Sequence, residues 1–261
     1  MNSYAWINVL SAALLAIWPL APHAECRVSS GERMTAVVEL YTSEGCDSCP
    51  PADRWLSDFT HRTDASRAVA LAFHVDYWDR LGWRDRFGSA RYTTRQHEQA
   101  TRQQGAFVYT PQILLQGMDF PQWRAPDGPD AAIAAINALP ARAAIELMAT
   151  PVDRSATAVD LHLRVPQPRD RSHATIAVAL VQDGLVSEVR AGENAGKRLS
   201  HDRVVRQWRA APAALDAAGE ATDHFILPLP ADAGSLSIVA LAENADTGAV
   251  LQAVSLPVCT R

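Results

Sequence analysis

Two cysteines separated by two residues, Cys46 and Cys49, are the residues of this chain best placed to do chemistry. They follow the apolar run 36–41 and precede Pro50-Pro51-Ala52-Asp53, a sequence typical of a first helical turn. Free N–H groups at a helix N-terminus stabilise a thiolate, so Cys46 is expected to be the exposed nucleophile. Cys49, one turn further in, would then resolve a mixed disulfide. The spacing therefore predicts a redox dithiol that needs no cofactor.

The other two cysteines, Cys26 and Cys259, lie near the two ends of the chain. An even number of cysteines in an oxidising compartment predicts a disulfide between them, with two buried thiols as the alternative. A CxxC pair can also form half of a structural zinc site, but no HxxxH pair lies near it. Copper bound by Cys46, Cys49 and His74 is a further alternative, which a chain with only four methionines does not favour.

The N-terminal segment predicts export. Residues 6–21 are almost entirely apolar, and the small-residue stretch after them favours cleavage after Ala24. About sixteen residues are fewer than the ~20 that a membrane-spanning helix needs. We therefore interpret residues 1–24 as a signal peptide and the protein as periplasmic or secreted, without a membrane span after cleavage. The absence of Lys or Arg before the apolar run keeps an uncleaved anchor as the alternative.

Composition narrows the class of partner. The chain has a formal net charge of −5 and no block of basic residues, so nucleic acid is not an expected partner. The dithiol instead predicts protein thiols or disulfides, or a redox partner protein. With 261 residues the chain can bury a substantial core and has room for one large or two small domains.

The pattern of apolar residues changes near residue 140. Before it, the order β, α, β, α, β, α is typical of an α/β layer architecture. The predicted strands are 34–41, 68–75 and 110–117, and the predicted helices are 50–60, 85–104 and 130–139. After residue 140, about seven short β-like runs separated by Gly, Pro, Asp and Asn predict an all-β sandwich. Residues 25–140 and 141–261 are thus the two expected domains.

Several longer strings resemble known families. Residues 37–51 together with Tyr109-Thr110-Pro111-Gln112 resemble the thioredoxin superfamily. The string His74-Val75-Asp76-Tyr77-Trp78-Asp79-Arg80-Leu81-Gly82-Trp83 is similar to the secreted bacterial family called domain of unknown function 1223 (DUF1223). Thr94-Arg95-Gln96, residues 192–196 and residues 201–206 extend the similarity. The resemblance implies an α/β thioredoxin-like domain followed by an all-β sandwich-like domain, and a thiol–disulfide oxidoreductase of unspecified substrate.

Carried onto this sequence, the resemblance assigns Cys46 as nucleophile, Cys49 as resolving thiol and Pro111 as a cis-proline facing them. A cis bond would leave the backbone of Thr110 free to pair with an extended substrate. A trans proline that opens an edge strand is the alternative. Thioredoxins also hold a buried acid on their first strand as a proton relay, and Glu39 is the nearest candidate here. An outward-facing Glu39 is the other interpretation, since an unpaired buried charge is costly.

Neighbouring polar and aromatic residues refine the expectation. Tyr77 and Trp78 follow the second predicted strand and are expected either to receive substrate or to pack on the sheet. The loop 192–196 is expected to be a solvated hairpin or an anion-binding nest. Asp47 should raise the pKa of the Cys46 thiol, which favours a reductase or isomerase over a strong oxidant. A copper-binding protein using the CxxC and a histidine, and a non-catalytic binding module with a structural disulfide, remain alternatives.

Overall fold

A computed structural model describes residues 25–105, 107–125, 128–232 and 234–259. The predicted signal peptide, residues 1–24, lies outside the described residues. The helices are α1 Pro50–Arg62, α2 Ala90–Arg102, α3 Asp130–Asn137 and α4 Pro168–Arg171. The strands are β1 Cys26–Ser29, β2 Ala36–Thr42, β3 Ala68–His74, β4 Gln112–Leu115, β5 Met118–Asp119, β6 Ala144–Pro151, β7 Ala156–Arg164, β8 Ala174–Gln182, β9 Leu185–Glu188, β10 Arg198–His201, β11 Val204–Pro212, β12 Glu220–Pro228, β13 Leu236–Asn244 and β14 Val250–Pro257.

One eight-stranded sheet runs through both halves of the chain, in the order β14-β13-β8-β11-β3-β2-β4-β5. Strands β2 and β3 are parallel, and β11 joins β3 in parallel through Val204 and Ala72. A four-stranded antiparallel sheet, β1-β6-β7-β12, and the hairpin β9–β10 complete the fold. The chain is therefore a mixed α/β protein with large sheets and few helices. Strands from before and after residue 140 form the two contiguous halves of this sheet, which join at β3 and β11.

The alternation of side chains along the strands decides what covers each face of the large sheet. On β2, Val38 and Leu40 face α1 and pack with Leu56 and Phe59. On the opposite face, Tyr41 packs in a second cluster that includes side chains of β3, β8, β13 and α2. Further along the sheet, β8 and β13 pack against the four-stranded sheet instead of a helix. Even-numbered residues of β2 therefore contact α1, and odd-numbered residues face the opposite cluster.

The local predictions hold best where a single segment carries the signal. Helix α1 agrees with the predicted helix at 50–60, whereas the helix predicted at 85–104 begins only at Ala90. The delay has a local cause, because the carboxylate of Asp85 accepts the backbone N–H groups of Phe87 and Glu44, which holds residues 85–88 in a turn. Ser89 then caps α2 by accepting the N–H of Arg91. None of the described helices is long and apolar enough to cross a membrane.

Two long-range connections tie the ends and the halves of the chain together. Cys26 and Cys259 form a disulfide with their Cα atoms 6.0 Å apart, the pairing expected from the sequence. Arg95 of α2 is buried and forms ion pairs with Glu39 of β2 at 2.6 Å and with Glu243 of β13 at 2.8 Å. Burial alone would lower the pKa of Arg95, but the two carboxylates raise it above its usual value. Charge thus links the first half of the sheet to the second.

Candidate functional site

The Cys46–Cys49 disulfide lies where β2 gives way to α1, with the two Cα atoms 5.4 Å apart. Cys49 is the N-cap residue of α1, and its carbonyl oxygen accepts the N–H groups of Ala52 and Asp53. Proline at positions 50 and 51 removes N–H groups that have no helical acceptor in the first turn. The unpaired end of a 13-residue helix therefore points toward the dithiol, where it would favour a thiolate over a thiol.

Both cysteines are fully buried, with a relative exposure of 0% each. The expectation that Cys46 is exposed is therefore wrong for the disulfide form. The loop that joins β9 to β10, residues 189–197, which we call the cover loop, is bonded to the backbone of the segment that carries both cysteines. Asn194 of this loop is itself fully buried, and its Nδ2 donates to the carbonyl oxygens of Glu44 at 2.9 Å and Cys46 at 2.8 Å. The cover loop holds the backbone on the N-terminal side of the disulfide.

Two further contacts fix the cover loop in place. The backbone N–H of Asp47 donates to Glu193 at 3.2 Å, so the loop also grips the segment between the cysteines. Gly192 has a φ of 73°, and a Cβ at this position would lie 3.2 Å from Cβ of Trp83. Glycine is thus needed here for backbone conformation and for close packing. The loop expected to be a solvated hairpin or an anion-binding nest is instead bonded to the CxxC segment through Asn194 and Glu193.

The peptide bond between Thr110 and Pro111 is cis. Pro111 immediately precedes β4, and Gln112 of β4 pairs with Tyr41 of β2, so the proline lies at the end of the sheet from which the CxxC loop departs. Trp78 connects the two segments. Its Nε1 donates to Oγ1 of Thr110 at 2.7 Å, and a Cβ added to Gly45 would lie 3.0 Å from its Cβ.

The predicted substrate residues Tyr77, Trp78, Thr110 and Pro111 are all partly buried, and the contacts of Trp78 place it next to the CxxC loop. Tyr77 donates through its hydroxyl to Gln96 of α2 at 3.3 Å. Tyr77 and Trp78 thus pack on the sheet and on the loop before β4. Their remaining exposed surface would be the part available to a substrate.

Glu39 does not lie beside the dithiol. It points to the face of β2 opposite α1, where it binds Arg95 and accepts a hydrogen bond from the hydroxyl of Tyr41 at 2.8 Å. Its relative exposure is 0%, so the outward-facing interpretation is wrong as well. An ion-paired carboxylate on the far face of the strand is unsuited to exchange protons with Cys49. Glu39 is therefore not placed to act as the proton relay.

Asp53, unlike Glu39, lies on α1 close to Cys49. It lies one helical turn after Cys49 on α1, and side chains at this i, i+4 spacing have Cβ atoms about 5–6 Å apart. Asp53 is buried and accepts a hydrogen bond from Oγ1 of Thr42 at 2.8 Å. Burial raises the pKa of Asp53 above its usual value, and the charge of nearby His201 offsets only part of that rise. A carboxyl group that holds its proton more tightly than usual thus lies close to the resolving cysteine.

Asp53 is part of a buried group of titratable side chains, which we call the acid–base cluster: Glu44, Asp53, His74, Asp85 and His201. The two nitrogens of His201 lie 3.4 Å from Glu44 and 3.9 Å from Asp53. His74 lies 2.7 Å from Asp85 through Nδ1, and the two imidazole rings are 5.0 Å apart.

Contacts within the cluster shift the pKa values of His74, Asp85 and Glu44. Burial would lower the pKa of His74, but Asp85 reverses the direction and raises it. Burial likewise opposes ionisation of Asp85, yet His74 brings the pKa of Asp85 down to about 2. For Glu44, contact with His201 and a hydrogen bond from Nε1 of Trp83 outweigh burial and lower its pKa.

Four atoms of the cluster have no hydrogen-bond partner among the described residues: Oε1 of Glu44, Nε2 of His74, and both ring nitrogens of His201. Buried polar atoms without partners are rare and often mark a functional site. Within the described ranges, no three His, Cys, Asp or Glu side chains are arranged as ligands of one metal ion. Nδ1 of His74 is bound to Asp85 and the two sulfurs are bound to each other, so the copper set Cys46, Cys49 and His74 has no observation in its favour.

Sequence reasoning missed most of this cluster, although two signals were present. Asp53 is a polar residue on the face of α1 that also carries the buried Ala52, Leu56 and Phe59. His201 and Asn194 belong to strings that carry the family resemblance. What no local pattern indicates is that these strings fold back onto the CxxC loop.

The cover loop leads to a prediction about access. Replacing Asn194 with Ala removes the two hydrogen bonds that tie the loop to Glu44 and Cys46, of about 0.5–1.5 kcal/mol each, so the loop should open more often. It also removes one within the loop, from Nζ of Lys197 to Oδ1 of Asn194. We expect a small phosphine to reduce the Cys46–Cys49 disulfide about five- to a hundredfold faster. The rate follows from stopped-flow mixing and mass spectrometry of alkylated thiols.

The matched control is Asn137→Ala, because Asn137 also donates to two backbone carbonyls, those of Met34 and Arg67, on α3 instead of the cover loop. The control variant should react at the wild-type rate. Equal acceleration in both variants, or none in Asn194→Ala, would show that the cover loop does not limit access.

Comparison with known proteins gives the chain a family but not an activity. Residues 37–242 match a family model described as protein of unknown function (DUF1223). A protein of Agrobacterium tumefaciens with a known crystal structure is similar in fold, with a TM-score of 0.60 and 24% identity, covering 87% of this chain and 96% of that one. HBP35 of Porphyromonas gingivalis is similar with a TM-score of 0.61 and 14% identity, covering 87% and 76%. No curated protein matches the chain. At these identities the structural likeness shows the fold alone.

Proposed function

The chain belongs to the DUF1223 family, and we propose that it is an exported thiol–disulfide oxidoreductase with a thioredoxin-like redox centre. One observation carries the proposal: the Cys46–Cys49 disulfide lies at the N-terminus of α1, and Trp78 connects the CxxC loop to the segment that holds Thr110 and Pro111. A helix N-terminus favours the thiolate that attacks a disulfide. The backbone of Thr110, before Pro111, is where an extended substrate would pair by strand addition.

The reaction we propose transfers two electrons from the dithiol to a substrate disulfide. The Cys46 thiolate attacks one substrate sulfur, and the other leaves as a thiolate. The Cys49 thiol then gives its proton to the carboxylate of Asp53 and attacks Sγ of Cys46, which releases the second substrate sulfur as a thiolate and forms the Cys46–Cys49 disulfide. A redox partner protein would then reduce this disulfide with two electrons, which restores the dithiol. Both sulfurs are fully buried, so the groups that cover them must move before each attack, and the cover loop is the candidate that the Asn194→Ala variant tests.

A second candidate function has a specific observation in its favour. Complete burial of both sulfurs is what a structural disulfide in a non-catalytic binding module would show. The two candidates differ in reduction potential. Redox-active pairs fall between about −120 and −270 mV, whereas structural disulfides of secreted proteins lie below about −300 mV. Equilibration of the protein with glutathione and dithiothreitol buffers measures the potential, and a value below −300 mV would overturn the oxidoreductase proposal.

Trapping with a Cys49→Ser variant tests the division of labour between the cysteines. Without the resolving thiol, mixed disulfides should accumulate on Cys46 when the reduced variant meets oxidised protein substrates or an extract of the exported proteins. The adducts are seen as bands on a non-reducing gel that disappear with dithiothreitol. The matched control is Cys46→Ser, which keeps one thiol of the pair and should form far fewer adducts. More adducts on the Cys46→Ser variant would reverse the assigned roles.

A further inference from the structure

A cavity of about 510 Å³ lies away from the dithiol, between the start of α2 and strands β11 and β12. Four arginines line it, Arg86, Arg91, Arg206 and Arg209, and none of its lining residues is Asp, Glu or Lys. The whole chain has a formal net charge of −5, whereas the cavity is lined by four guanidinium groups, so the charge of its lining is opposite in sign to that of the chain. Such a concentration of one sign of charge in a concave site attracts a ligand of the opposite sign.

Aromatic rings hold three of these arginines in place. The guanidinium carbon of Arg86 lies 4.5 Å from the centroid of the Phe87 ring, and that of Arg206 lies 5.5 Å from the same centroid. Arg209 stacks on Phe225 at 4.6 Å. A guanidinium that stacks through its face keeps its N–H donors free at the edge, where they can bind a carboxylate or phosphate. Stacking therefore orders three of the four cationic groups before any ligand arrives.

Two of the four arginines have no carboxylate to neutralise them. Arg209 pairs with Asp223 at 2.9 Å and Arg206 with Asp232 at 3.3 Å, although neither aspartate lines the cavity. Among the described residues, Arg86 in contrast donates only to the carbonyl oxygen of Val186, at 3.0 Å. Arg91 forms no ion pair with any described residue. The cavity thus has about two positive charges available for a ligand.

The remaining walls suit a flat apolar body. Trp208, Phe225, Val178 and Leu227 contribute apolar surface, and Tyr92 lies among them. Burial raises the pKa of Tyr92 to about 12, so this phenol stays neutral and adds no negative charge. The volume lies within the usual range of small-molecule sites, about 300–1,000 Å³.

From this arrangement we propose that the cavity binds a small organic anion with a planar apolar body, of the aryl phosphate or aryl carboxylate class. The anionic group would take the N–H edges of Arg86 and Arg91, and the planar body would lie against the aromatic wall. The site is separate from Cys46 and Cys49, so its existence does not depend on the oxidoreductase proposal.

Isothermal titration calorimetry with phenyl phosphate tests the site in the wild-type protein with both disulfides intact. We expect binding in the micromolar to millimolar range that weakens with added salt, and at least about tenfold weaker binding of phenol, which has the ring without the charge. The double variant Arg86→Gln, Arg91→Gln should bind phenyl phosphate at least about tenfold more weakly than wild type.

The control variant is Arg198→Gln, because Arg198 is an exposed arginine of β10 outside the cavity. It should keep the wild-type affinity, and far-ultraviolet circular dichroism should show that both variants are folded. Absence of binding up to about 10 mM phenyl phosphate would overturn the proposal, because the dissociation constant would then lie above the expected micromolar to millimolar range. Equal affinity of wild type and the double variant, or of phenol and phenyl phosphate, would overturn it too.

Discussion

Replacing Arg95 with Met is expected to lower the free energy of unfolding by about 3–5 kcal/mol. The variant leaves Glu39 and Glu243 buried without the cation that balances them, and both carboxylates lie within 2.8 Å of the guanidinium. The loss of one partner of a buried ion pair costs far more than the pair itself is worth, since the remaining charge keeps its desolvation penalty. Arg95 also stacks on the ring of Trp208 at 4.4 Å. Denaturation in urea with intact disulfides measures the change.

Two comparisons separate charge from packing. Arg62→Met removes an exposed arginine that pairs with Asp130 at 3.3 Å, and such a change should cost no more than about 1 kcal/mol. The triple variant Glu39→Gln, Arg95→Met, Glu243→Gln removes the unpaired charges together and should recover most of the stability lost in Arg95→Met. A loss below 1 kcal/mol in Arg95→Met, or no recovery in the triple variant, would show that the ion-pair network does not hold the halves together.

The ion pairs of Arg95 link strands from the two sides of the domain boundary expected near residue 140, because Glu39 precedes that boundary and Glu243 follows it. The apolar runs of β2 and β3 and the periodicity of α1 are local signals, so those elements could be predicted. The junction between β3 and β11 rests on a single register pair, Val204 with Ala72, and no local pattern indicates it. Strand order across a sheet is decided by packing between distant segments, which one sequence does not reveal.

The residues of the candidate site also differ in how far they could be predicted from the sequence. Cys46 and Cys49 could be named as candidates because the CxxC spacing carries its chemistry with it, whereas Pro111 followed from the family resemblance of residues 109–112. Glu39 was misassigned because alternation predicts that neighbours on β2 face opposite sides, but it does not say which side α1 will cover. The contacts of Asn194 reach 148 and 150 positions along the chain, so burial of the disulfide could not be foreseen. Only Asp53, close to Cys49 in sequence and on a buried helix face, was within reach of sequence reasoning.

The Asp53→Asn variant should slow reduction of the Cys46–Cys49 disulfide by about 10²-fold or more at low pH, the lower end of what a positioned acid contributes. When an incoming nucleophile attacks Cys46, the electron pair of the broken bond passes to Sγ of Cys49. Protonated Asp53 can supply a proton to that sulfur, whereas Asn cannot. Asn keeps the size of the side chain and an oxygen that can accept the hydrogen bond from Thr42, so the change is directed at the proton.

The pH dependence separates proton transfer from a packing effect. Asp53 acts as an acid only while it is protonated, and its raised pKa extends that range above the usual value of 3.8. The ratio of the wild-type to the Asp53→Asn rate constant should therefore be largest below the raised pKa of Asp53 and fall toward one as the pH rises through it. Taking the ratio cancels the pH dependence of the reductant, which is the same for both proteins.

The pH dependence of the free energy of unfolding gives an independent check on the raised pKa of Asp53. A carboxyl group whose pKa is higher in the folded than in the unfolded protein favours folding most at low pH, and that contribution is lost as the pH rises through the folded pKa. Asp53→Asn should abolish this part of the pH dependence of unfolding. Asp58→Asn, an exposed carboxylate on the same helix, is the matched control and should leave both the rate ratio and the stability profile unchanged. A rate ratio that stays constant across the pH range would mean that Asp53 supports the site structurally and transfers no proton.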